Sequence, residues 1–279
     1  MLSGPRLRQA AFTLVELVMV IALAGLIAVM ISTVMSRPMQ GFVDQSRRAE
    51  LVDLASSALQ RMTRDIRLAV PNSVRVAGGT RLEFLRSPGG GRYRATLVNG
   101  VRQDPPQCVS DPCVIEVLGP LIGVDDWAAM NWMVVYNIGS TASGDNTWPP
   151  LDGTLAVISP TVAMSYVAGD LSLAGGGIEN FRFKYASPQH RFFLVDKVVG
   201  YRCTGTAIVR GEFDTLAAPG AYDYSSASTV VDHVDCVNSG FTYDPGTNTR
   251  SGLVTIRLTL RQDGETITLL QQVHVDNAP

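Results

Sequence analysis

Apolar residues run almost without interruption from Phe12 to Met35, and Glu16 is the one ionisable side chain among them. At about 1.5 Å per residue, a helix over this run is long enough to cross the ~30 Å hydrocarbon core of a bilayer. A carboxylate inside such a run is costly and needs a partner. The pattern then changes without a linker. Leu51, Leu54, Ala55, Ala58, Leu59, Met62 and Ile66 recur at steps of three and four, while Glu50, Asp53, Ser57, Gln60, Arg61 and Arg64 fall on the other side. That spacing predicts an amphipathic helix with one buried stripe. Pro71-Asn-Ser73 is expected to stop it, and Gly25 and Ser36-Arg-Pro38 are expected bending points. The two stretches together predict one helix of roughly 80 Å, its first half in lipid or a fibre core and its second half on a folded domain.

From Val74 onward the period shortens. Gly78-Gly79, Ser87-Pro-Gly-Gly-Gly91, Asn99-Gly100, Asp104-Pro-Pro106 and Trp148-Pro-Pro150 read as turns. Between them, Arg81–Leu85, Tyr93–Val98, Val114–Leu118, Met130–Ile138 and Thr154–Ile158 read as strands. Ile178–Tyr185 alternates, with Phe181, Phe183 and Tyr185 on one side and Arg182 and Lys184 on the other. Phe192–Val195, Lys197–Cys203 and Thr206–Arg210 add further strands. The C-terminal hairpin is the clearest signal: Val254, Ile256, Leu258 and Leu260 alternate with Thr255, Arg257, Thr259 and Arg261, Asp263-Gly264 turns, and Glu265–Val275 returns. A hairpin with one apolar face beside a long amphipathic helix predicts an α+β fold, with the N-terminal helix packed on an antiparallel sheet.

Composition adds constraints. The chain has 279 residues and a formal net charge of −2. A leader of residues 1–11 would carry off Arg6 and Arg8 and leave the remainder near −4, which is not the balance of a nucleic-acid-binding protein. Roughly 240 residues then remain outside the apolar run, enough for one sizeable core. Cys108, Cys113, Cys203 and Cys236 make an even count in a chain read as exported, so two disulfides are expected. Of the three connectivities, Cys108–Cys113 with Cys203–Cys236 is favoured. The spacings do not suit zinc, and the only histidines are His190, His233 and His274.

A secretory signal peptide would have a shorter apolar core, no charge within it and a small-residue cleavage site after it. Here Ala11 precedes the run and Glu16 lies inside it. The segment Phe12-Thr13-Leu14-Val15-Glu16 resembles the class III signal of type IV prepilins and pseudopilins, usually Phe-Thr-Leu-Ile-Glu, with Ala11 where Gly is usual. The resemblance implies cleavage between Ala11 and Phe12 by a prepilin peptidase, N-methylation of Phe12, and retention of the apolar helix. The organisation expected is a leader over 1–11, a transmembrane and fibre-core helix over 12–35, an amphipathic continuation over 36–71 and a β-rich domain over 72–279. Pro71-Asn-Ser-Val-Arg75, Arg202-Cys-Thr-Gly205, Gly240-Phe-Thr-Tyr-Asp-Pro-Gly246 and the ending Gln272-Val-His-Val-Asp-Asn-Ala-Pro279 resemble the MshO family of MSHA pilus biogenesis proteins. That family is related to pseudopilin J of type II secretion and to PilW-type minor pilins. Implied partners are other pilin-like subunits, the peptidase and methylase, an inner-membrane assembly platform and membrane lipid. The implied location is a single pass in the inner membrane with a periplasmic C-terminal domain, then the pilus at the cell surface.

Other chemistry is weaker. Asp125-Asp126 and Asp145 with Asp152 offer oxygens for calcium, but no EF-hand spacing accompanies them, and they read first as solvated acids. No cofactor is expected. Gly89-Gly-Gly91 and Gly175-Gly-Gly177 lack the Lys-Ser/Thr and helix of a phosphate loop and read as turns. No Gly-x-Ser-x-Gly is present, and an enzyme is not expected. Trp127, Trp132 and Trp148 would suit a sugar-binding surface, yet read better as core or loop anchors. Three functions are open: a minor pilin or secretion pseudopilin at or near the fibre tip, a tip-displayed adhesin using the loops of about residues 87–177, and an anchored periplasmic enzyme, for which no catalytic constellation is seen.

Overall fold

A computed structural model describes residues 12–98, 101–121, 123–140, 144–151, 153–246 and 250–276. Ala11, Asp152 and the Asn99-Gly100 turn lie outside the described residues. The chain divides into two compact units, Met1–Glu50 and Leu51–Pro279.

In the first unit the backbone is helical from Leu14, and helical geometry continues through Pro38, so the proline does not end the helix. Residues 12–34 are exposed at every position, apolar ones included. The fold itself gives this stretch nothing to pack against. Thr33 turns its hydroxyl back to the carbonyls of Val29 and Met30, at 3.1 and 3.0 Å, which hides a polar group along an otherwise apolar surface.

In the second unit the same helix buries Leu51, Ala55, Ala58, Leu59, Met62 and Ile66, the stripe its sequence predicts. The helix ends at Arg67 rather than at Pro71. Competing backbone bonds end it early: Val70 N–H bonds Leu85 O, Ser87 N–H bonds Leu68 O, and Ala69 bridges to Arg86. Arg64 and Arg67 in the last turn oppose the helix dipole.

The stripe covers two sheets. One has five strands in the order Arg75–Ala77, Arg81–Arg86, Lys197–Thr204, Ala207–Phe213 and Ser228–Val231. The other has three, Gly240–Asp244, Gly252–Gln262 and Glu265–Val275. Leu82, Phe84, Val199 and Tyr201 from the first meet Val254, Ile256, Leu258 and Leu260 from the second under the helix. The sheets are stitched by Phe241 N–H to Gly79 O at 2.8 Å and Arg261 N–H to His233 O at 2.7 Å. The Asp263-Gly264 turn has φ of 49° and 87°, the double positive φ of a tight hairpin that glycine makes easy.

Residues 87–196 form a second core around Tyr93, Ile115, Met133, Leu171, Phe181, Phe183 and Phe192. Four readings change here. Gly89–Arg92 is a strand, not a turn, paired with Arg191–Leu194. Glycine is required by closeness, since a Cβ on Gly90 would stand 2.5 Å from Phe192 O. Ile178–Tyr185 keeps its alternation, with Phe181 and Phe183 buried, but only Arg182–Phe183 forms a ladder, and it is parallel to Leu155–Ala156. The long Met130–Ile138 run shortens to Trp132–Val134, because Tyr136 turns to φ 51°. Ala163–Val167 and Asp170–Ala174 form an unanticipated hairpin. Disulfides join Cys108 to Cys113 and Cys203 to Cys236, with Cα–Cα distances of 5.0 and 5.7 Å.

Candidate functional site

The first described residues carry the site singled out from the sequence. Phe12 and Thr13 precede the helix, and Phe12 is 77% exposed. Leu17 N–H bonds Thr13 O at 3.1 Å, the first helical bond, and Glu16 N–H donates to Thr13 Oγ1 at 3.3 Å. Thr13 is therefore the helix cap, and Glu16 is the third residue of the first turn. Thr-x-x-Glu is the pattern of a capping box. The sequence reading gave Thr13 no role, although the spacing was visible. A carboxylate in a first turn also offsets the positive end of the helix dipole. Cap and acid thus start the helix immediately after Phe12-Thr13, and leave the Glu16 side chain exposed on a surface with no other charge from residue 12 to 34.

The remaining candidates do not converge with one another. Asp126 caps a short 3₁₀ turn, accepting from Ala128 N–H at 3.0 Å. Asp145 is held by Lys184 Nζ at 2.5 Å and by the Tyr185 hydroxyl at 2.9 Å, and the Lys184 bond keeps its carboxyl below the usual range. Among the described residues no group of three or more His, Cys, Asp or Glu is placed to hold a metal ion. Trp132 is buried and donates Nε1–H to Thr161 Oγ1; Trp148 donates to Ser73 O beneath the Arg75 guanidinium, 3.5 Å above its ring; Trp127 stacks on Tyr166. Trp132 and Trp148 belong to one core and Trp127 to another, and the burial of Trp132 leaves no three-indole surface. His274 is exposed on the last strand, and His233 uses its carbonyl to join the sheets.

Two polar clusters were not anticipated. The Tyr93 hydroxyl donates to Asp104 Oδ1 at 2.8 Å and accepts from Ser187 N–H, while His190 Nε2 lies 3.1 Å from Asp104 Oδ2. Burial, then the Asp104 bond, pushes the Tyr93 phenol above its usual range. Ser187 Oγ accepts from Arg191 N–H, so this hydroxyl serves the turn. The second cluster locks the helix to the five-stranded sheet. Asp65 Oδ2 accepts from Tyr201 OH and Arg210 Nε, both at 2.6 Å. Arg210 continues to Glu212, Glu212 to Arg86, and Arg86 to Asp196. Single residues far apart in sequence carry no signal of such a chain.

The family model for the prokaryotic N-terminal methylation motif matches residues 6–32. No curated protein and no solved structure matches the chain. The motif supports a type IV pilin-like protein, and implies other pilins and a prepilin peptidase as partners in general. With the apolar helix Leu14–Val34, long enough to span a bilayer, it is consistent with a single-pass membrane anchor.

Proposed function

We propose that this chain is a minor pilin or pseudopilin, a structural and assembly subunit of an envelope-spanning fibre, with no catalytic step of its own. The observation that carries the reading is the helix surface from residue 12 to 34, exposed all round, largely apolar and uncharged but for one carboxylate, most of it inside the methylation motif matched at residues 6–32. A surface of this kind needs lipid or like helices. Hydrolysis of the Ala11–Phe12 amide frees an α-amino group on Phe12, which is then methylated. In a bundle of such helices, that cation lies beside the Glu16 carboxylate of a neighbouring subunit. The pair neutralises two charges that are each expensive in hydrocarbon, about 3 kcal/mol for a charged group at mid-bilayer, and it fixes the axial register. Arg6 and Arg8 keep the leader on the cytoplasmic side and send the C-terminal unit outward.

The finer placement, an MSHA-type pilus with this subunit near the tip, is supported by the resemblance of the C-terminal segments to the MshO family; the secretion pseudopilin shares the same physics. Glu16→Ala tests the assembly role. Processing of the leader should be unchanged, and incorporation into fibres should be lost. Normal incorporation of the variant sinks the register role.

A further inference from the structure

The last strand is an open edge of unusual length. Glu265–Val275 is 11 residues long, pairs on one side with Gly252–Gln262 without a register shift, and contains no Lys, Arg, Asp or Pro, and no Glu after Glu265. The two-residue Asp263-Gly264 turn makes Gln262 and Glu265 the first hydrogen-bonded pair, so Thr266, Thr268, Leu270, Gln272 and His274 direct their backbone N–H and C=O away from the sheet. Among the described residues none of these groups has a backbone partner; Gln272 O alone accepts a bond, from the Gln271 side chain. Folded proteins normally blunt such an edge with charge, proline or a bulge.

A groove of about 510 Å³ follows this edge between Leu269–Gln271 and the helix, with Arg64 and Arg67 on its rim. Arg67 also lines a second groove of about 490 Å³, which holds Arg92, Arg191 and Asp276, the residue just after the strand. Arg92 and Arg191 are directly opposite across their strand pair, an arrangement that repels. The other two cationic pairs that stand opposite one another in the described strands are compensated. Arg86 and Lys197 have Asp196 and Asp214, Arg81 bonds Gly220 O, and Arg202 lies over the Tyr224 ring. Among the described residues, neither Arg92 nor Arg191 has a carboxylate within ion-pair distance, and the same holds for Arg64 and Arg67.

We propose that this edge and its arginine-lined end are a docking site for an extended acidic segment of a neighbouring fibre subunit, which adds as a further strand beside Glu265–Val275 and sets its carboxylates against Arg67, Arg92 and Arg191. A sheet edge recognises a peptide backbone, and guanidinium groups recognise carboxylates. An extended acidic peptide offers both; a lipid headgroup or a polysaccharide offers no backbone ladder. The proposal rests on the fibre-subunit reading.

The test uses the full chain in its native host, with photoreactive benzoylphenylalanine in place of Gln272. Irradiation should give an adduct that maps to an Asp- or Glu-bearing segment of another subunit. It should fall about tenfold in Arg92→Glu/Arg191→Glu and persist in Arg92→Lys/Arg191→Lys. Thr268→Lys, on the exposed face of the edge, should weaken the adduct without touching the groove. Each variant is accepted only if it keeps both disulfides and the protease resistance of the unaltered chain. An incorporated chain that gives no adduct, an adduct to a second copy, to lipid or to glycan, or an adduct indifferent to the charge reversal overturns the proposal. A chain that never enters a fibre overturns the subunit reading and takes this proposal with it.

Discussion

Asp65 shows how one side chain ties the helix to the sheet. Its oxygen accepts from Tyr201 and Arg210, and both donors are largely buried. Asp65→Ala leaves Arg210 with Glu212 as its one carboxylate and the buried Tyr201 hydroxyl without its acceptor, which typically costs about 1–3 kcal/mol. Chemical unfolding of the full chain in detergent should show a loss of that size. The same network sets the pH range of stability. Burial alone would raise the Glu212 carboxyl, but Arg210 and Arg86 outweigh it and hold it below its ordinary 4.5. A carboxyl depressed in the folded state stabilises above its unfolded value, and that contribution is lost as pH falls through the lowered one. Burial, then the Asp65 bond, raises the Tyr201 phenol above its ordinary 10.0. A raised group stabilises below its unfolded value and ceases to as pH rises beyond it. Unfolding midpoints measured across pH should therefore be level between about pH 5 and 10 and fall on both flanks. A midpoint that keeps rising above pH 10 contradicts this account.

At the scale of elements, the two clearest periods gave the two clearest structures. Leu51 to Ile66 at steps of three and four, and Val254 to Leu260 at steps of two, meet face to face in one core. Met62→Ala, at the centre of that contact, should cost roughly 2–5 kcal/mol as a cavity, read as a lowered unfolding midpoint. Elements went unread where the cause is tertiary. Gly89–Arg92 looks like a turn because glycine usually marks one, yet here it marks a strand pressed against the Phe192 backbone. Gly90→Ala should lower stability by about 1–3 kcal/mol, since the added carbon meets a carbonyl that cannot swing away. The hairpin Ala163–Ala174 turns at Ala168-Gly169, with φ of 54° and 99°, and Ala-Gly is not a pair that signals such a turn. Strands of two to four residues in the region 87–196 are too short to display a period at all. Of the N-terminal site, the acid and the apolar run are legible in the sequence, and the Thr13 cap is carried by the Thr-x-x-Glu spacing alone.

For the whole molecule, the two units have opposite relations to their surroundings. The described residues of the second unit bury most of their apolar side chains in cores of their own. Residues 12–34 bury none, and on the proposed reading are covered by lipid or by other subunits. The disulfides belong to the first kind of stability. Cys203–Cys236 closes a separation of 33 residues and Cys108–Cys113 one of 5. Chain entropy gives the longer loop about 3.7 kcal/mol and the shorter about 2, so replacing the Cys203–Cys236 pair by serine should lower the unfolding midpoint more. The account as a whole turns on whether the apolar helix survives processing. Mass spectrometry of the native protein's N-terminal peptide decides it: a chain beginning at methylated Phe12, with Glu16 and the full run to Met35 retained, is the predicted result. A mature chain that begins beyond Met35 would be a freely released exported domain, and would contradict the fibre-subunit account outright.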